Sequence, residues 1–121
     1  MEKKQLVQAL ALGTVLVVNL SATAYAQTAA CNNGTATSIA SSATGFVKND
    51  FTPKCSANVY VNYNQTNTDF FVKGASSKGM HTYGGSTMGG GVGVCENSSV
   101  TNPHSSVTPG TTSGTQFPAG C

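Results

Sequence analysis

The chain has 121 residues, 8% of them charged, with six lysines, no arginine, no tryptophan and a formal net charge of +2. A typical soluble domain carries about 25% charged residues. The length allows one small domain, six lysines with no arginine exclude a basic nucleic-acid patch, and the scarcity of Ala, Glu, Lys, Leu and Arg after residue 26 excludes a coiled coil or helical bundle.

Residues 1–26 read as a cleaved secretory signal peptide. Lys3 and Lys4 give a basic start, Leu6 to Val18 is a short apolar core, and Ala24-Tyr25-Ala26 places small residues before the cut. The apolar core is shorter than the roughly 20 residues that span a bilayer, so no membrane span is expected after cleavage. The mature chain, 27–121, is expected to be a single small β domain, with 96–121 mostly loop. Of its 95 residues, 48 are Ser, Thr, Gly or Asn. That polarity leaves little for a core and raises the need for covalent staples.

Four cysteines, Cys31, Cys55, Cys95 and Cys121, all lie in the mature chain. An even number in a short exported sequence, with no close C-x-x-C pair, reads as two disulfides rather than a metal or redox motif. Three pairings exist. Local closure favours Cys31–Cys55 with Cys95–Cys121, each worth about 3.5 kcal/mol in the chain-entropy view.

From Gln27 to Ser42 the residues are small and polar. Asn32-Asn33-Gly34 marks a turn, and 35–40 is expected as a short edge strand. Residues 44–51 are expected as a strand with a bend, stopped by Pro53. Ser56 to Asn64 alternates strictly: Val59, Val61 and Tyr63 share one side, and Asn58, Tyr60 and Asn62 the other. Asn64 to Thr68 is a hairpin turn and 69–75 the return strand. The expected core gathers Phe46, Phe51, Val59, Val61, Tyr63, Phe70, Phe71 and Val72. Met80 to Tyr83 is expected as a short strand. The glycines of 84–93 form a loop or permit two backbones to approach closely. The sum is an all-β fold: a small disulfide-stapled β-sandwich or barrel of about five to seven short strands with a loop-rich C-terminal tail.

Catalysis has little to work with. Asp50, Asp69 and Glu96 are the carboxylates of the mature chain, their spacing suggests no acid–base pair, and no G-x-S-x-G elbow is present. An enzyme is not expected, and no cofactor or metal is assigned. Tyr60, Met80, His81 and Met88 are the most testable binding residues. Met and His are soft ligand types, with His104 as a further candidate, and Tyr60 is expected to be exposed between Asn58 and Asn62. For each, packing or solvent exposure is the plainer role.

Cys31 and Cys55 followed by alternation are similar to exported β domains of the pilin and spore-coat-U kinds. The ending Phe117-Pro118-Ala119-Gly120-Cys121 departs from the final strand of such domains, so no family is assigned. The expected function is a secreted structural or interaction role at the cell surface or in the extracellular matrix, as a fibre or surface-layer component. Its partner would be a protein, a surface polymer or a second copy. The alternative is an exported ligand-, glycan- or metal-binding module.

Overall fold

A computed structural model describes residues 27–111 and 116–121; the signal-peptide reading lies outside the described residues. Six strands, β1 (Thr28–Asn32), β2 (Thr35–Ala36), β3 (Val59–Gln65), β4 (Phe70–Ser76), β5 (Thr82–Ser86) and β6 (Gly93–Val94), form one antiparallel sheet in the order β2-β1-β3-β4-β5-β6. The all-β class and the strand number follow the sequence reading. The sheet does not close into a barrel. In place of a second sheet, irregular chain covers the second face and part of the first.

The β3–β4 hairpin is the centre of the sheet. Its register pairs Val61 with Gly74, Asn62 with Lys73 and Tyr63 with Val72. Side chains alternate across a strand, so the sheet has two distinct faces. Val59, Val61, Tyr63, Phe70 and Val72 point to the first face; Tyr60, Asn62, Phe71, Lys73 and Ala75 point to the second.

Several elements differ from expectation, and the edge strand expected at 35–40 is only the two residues Thr35–Ala36. Residues 28–32 form β1, between β2 and β3, although Thr-Ala-Ala-Cys-Asn has no apolar alternation. A register shift between Ala29 and Cys31 marks a β-bulge. It leaves consecutive residues, Ala30 and Cys31, both buried, which a regular strand does not allow on a one-sided core. The β1–β2 connection is Asn33-Gly34, with φ of 50° and 87°, the positive values that a tight hairpin turn requires. Residues 44–51 are not a strand. They cross the first face as coil, joined to Ile39 by a single bridge at Phe51. The Val47 amide donates to Gln65 Oε1 at 3.0 Å, and Lys48 Nζ donates to the Gly45 carbonyl at 2.7 Å. Backbone groups spent on these contacts are not available for a ladder.

Both disulfides pair as the spacing suggested. Cys31–Cys55 has a Cα–Cα distance of 5.6 Å and Cys95–Cys121 one of 5.2 Å. Each closes a covering segment. The 37–54 coil brings Ile39 and Val47 onto Ala30 and Tyr63, with Val61, Phe70 and Val72 packed around them. The C-terminal segment covers the second face, where a 3-10 turn at Pro103–Ser106 packs on β4 and β5 and Phe71, Pro103 and Thr82 are fully buried. Of the expected core, Tyr63 and Phe71 are buried, on opposite faces, while Phe46 and Phe51 are exposed at 40% and 48%.

β5 begins later than expected and runs into the glycines because another backbone lies on it. A Cβ at Gly84 would sit 2.7 Å from Cys121 N and Sγ. Only glycine permits this approach, one of the two roles the sequence suggested for the glycine run.

Candidate functional site

Two places concentrate chemistry. The first lies beneath the C-terminal segment on the second face. Glu96 accepts the Thr82 amide at 3.0 Å through Oε2 and the Thr82 hydroxyl through Oε1. His81 Nδ1 is 3.7 Å from Glu96 Oε2, too long for a hydrogen bond, so it acts on Glu96 by charge when protonated. Lys73, 9% exposed, donates from Nζ to the main-chain oxygen of Cys121 at 3.4 Å. Burial alone raises the Glu96 pKa. The two Thr82 hydrogen bonds, with Lys73 and His81 nearby, outweigh it and hold the carboxyl below its ordinary value of 4.5.

This arrangement is a structural tether. A carboxylate that accepts a backbone amide and a hydroxyl fixes the start of the C-terminal segment against the start of β5. The sign of its pH dependence follows from the lowered pKa. The stabilisation is full above pH 4.5 and is lost as pH falls through the lower folded value. Glu96→Gln exchanges a charge-assisted acceptor for a neutral one and is expected to lose about 1 kcal/mol at pH 7. In urea titrations, the difference between wild type and variant shrinks from pH 6 to pH 3. A constant difference across that range refutes the tether.

The other carboxylates are similarly occupied. Asp50 Oδ1 accepts the Ser41 amide at 2.6 Å, and hydrogen bonds from the Ser41 side chain and backbone hold its pKa down. Asp69 Oδ2 accepts the Thr68 hydroxyl at 2.6 Å.

The second place is the far half of the first face. The covering coil reaches as far as Phe70, whose ring centroid is 6.4 Å from that of Phe46 and 5.3 Å from that of Tyr63. Beyond it the sheet is bare. Tyr83 and Val94, directly opposite each other, are exposed at 48% and 37%, and Val92 at 74%. Phe70, Val72, Gly85 and Val92, with Ser86, Thr87, Gly90 and Gly91 of the following turn, line an open cleft of about 250 Å³. No charged residue lines it. Drug-sized ligands occupy about 300–1,000 Å³, so the cleft suits one projecting side chain or ring.

The residues singled out from sequence do not share a site. Tyr60 is half-buried rather than exposed, because the His104 ring lies on it at 4.9 Å. It anchors the C-terminal segment. Met80 is 61% exposed rather than packed, and Met88 is 53% exposed. His81 and Met88 flank opposite ends of β5, separated by roughly 20 Å of extended strand. Among the described residues no three His, Cys, Asp or Glu side chains come together to hold a metal. Sequence reasoning missed the cleft. Consecutive Phe70 and Phe71 point to opposite faces, a signal that strand alternation itself carries.

Comparison with known proteins finds no matching family model, no matching curated protein and no matching solved structure. Two disulfides point to an oxidising compartment. Among the described residues no helix is long and apolar enough to cross a membrane.

Proposed function

We propose that the protein is an exported structural or interaction module of the cell surface or extracellular matrix, and that it engages a protein or polymer through the bare half of its first face. The observation that carries this reading is unequal coverage. The C-terminal segment closes the second face, whereas the coil on the first face stops at Phe70 and leaves Tyr83, Val92 and Val94 in solvent. Contiguous exposed apolar surface of this kind marks interaction sites. The edges contribute less. β2 and β6 are two residues long, and short edges blunt strand addition. Fibre or surface-layer assembly would therefore proceed through the face. The basic and apolar leader and the two disulfides support export.

Val92→Asp places a charge on the bare face at a position that packs little. Folding stability is expected to stay within about 0.5 kcal/mol of wild type. Self-association in sedimentation velocity, fibres in electron microscopy and retention on the producing cell surface are expected to fall together. A wild-type protein that stays monomeric at high concentration and is not retained overturns the reading. The cleft supports a second reading, an exported module for a small uncharged ligand or glycan. A ligand that moves the Phe70, Val72 and Gly85 amide signals of a strict monomer would favour it.

A further inference from the structure

The two disulfides differ in setting. Cys31 is 6% exposed and lies within β1, paired with Ala36 on one side and Val61 on the other; its partner Cys55 is half-buried, with Sγ 3.6 Å from the Ala30 carbonyl oxygen. Cys95 and Cys121 are both half-buried, and Cys121 lies outside the ladder. The end of the C-terminal segment is held by packing, with Ala119 2% exposed, more than by hydrogen bonds to the sheet. The Gly120 amide bonds to Gly110 and the Gln116 side chain to Asn97, both within the segment itself. Among the described residues the hydrogen bond from Lys73 is the one that joins Pro118–Cys121 to the sheet, at a long 3.4 Å. Position is kept by the disulfide and by close packing on Gly84 and Gly85.

We propose that Cys95–Cys121 is a redox clasp: a dithiol reductant opens it ahead of Cys31–Cys55, and its opening lifts residues 116–121 off β4 and β5. One thiolate of the reductant attacks a clasp sulfur, forms a mixed disulfide and expels the other cysteine as thiolate. The second thiol of the reductant resolves the mixed disulfide. Cys95 and Cys121 end as thiols and the reductant as an internal disulfide, so two electrons and two protons pass to the protein. Accessible disulfides are the labile ones, and those enclosed by structure resist exchange. Opening returns the Lys73 ammonium to water and exposes the stretch of β4–β5 that the closed clasp covers. The protein then presents apolar surface on two faces rather than one. The sheet itself stays intact: Cys95 keeps its amide bond to the Thr82 carbonyl at 3.0 Å, and Cys121 belongs to no strand.

The test is a dithiothreitol titration of the oxidised mature protein. Samples are quenched with iodoacetamide, labelled at amines with an N-hydroxysuccinimide ester and mapped by mass spectrometry. Cys95 and Cys121 are expected to be half-alkylated at about one tenth the reductant concentration that Cys31 and Cys55 require. In the species alkylated at Cys95 and Cys121 alone, Lys73 is expected to label as readily as the exposed Lys54 and Lys78. Simultaneous or earlier opening of Cys31–Cys55 overturns the proposal. So does a Lys73 that stays unlabelled once Cys95 and Cys121 carry the alkyl group.

Discussion

Phe71→Ala is expected to lower the stability of the oxidised protein by about 3–5 kcal/mol, read as a lower midpoint in guanidinium titration. Phe71 is 2% exposed and is among the largest fully buried side chains. It lies on the second face, where coil rather than a second sheet packs against it, so its ring supplies much of the apolar surface that holds the C-terminal segment down. Domains of this size are stable by about 5–15 kcal/mol in total, so one such cavity removes a large share. The comparison is Phe46→Ala, at a ring 40% exposed on the first face, which is expected to cost clearly less. Equal losses at the two positions would mean that the second face is not packed as described.

Gly120→Ala is expected to be comparably severe for a different reason. Gly120 has φ of 101°, a conformation that costs an L-residue about 1–2 kcal/mol. The added Cβ would also meet Gly85 N at 2.5 Å, Val72 O at 2.6 Å and the Gly85 carbonyl. These are backbone atoms of β4 and β5, so relief requires either bending the sheet or lifting the C-terminal segment. Overpacking of this kind adds about 1–3 kcal/mol. Gly90→Ala separates the two contributions: its φ is 79° and nothing lies within 4 Å of the added carbon. It is expected to lose only the conformational part. If thermal melting shows the two variants to be equally stable, the close approach of the C-terminal segment to β5 is wrong.

What was legible in the sequence was what period and spacing encode. Val59, Val61 and Tyr63 alternate with Asn58, Tyr60 and Asn62, and β3 follows them. The four cysteines pair locally as their spacing favoured. β1 was not legible because its burial comes from a bulge and from neighbours on both sides, not from its own small side chains. Residues 44–51 misled because Phe46, Val47 and Phe51 are apolar for a different purpose: they cover a sheet rather than join it. The Thr82–Glu96 tether joins residues 14 apart through a carboxylate and an amide, and no local pattern announces such a bond. The bare face was hidden because a run of aromatics reads as core until alternation assigns Phe70 and Phe71 to opposite sides.

Cys31 points to the first face of the sheet, whereas Cys95 follows Val94 onto the second, where Cys121 lies against Gly84. Once the strands have paired, the sheet is a partition between the two thiol pairs. A cross-pair such as Cys55 with Cys95 would need one covering segment to travel around a sheet edge. Each native closure thus stays on its own side of the sheet, and neither has to cross an edge.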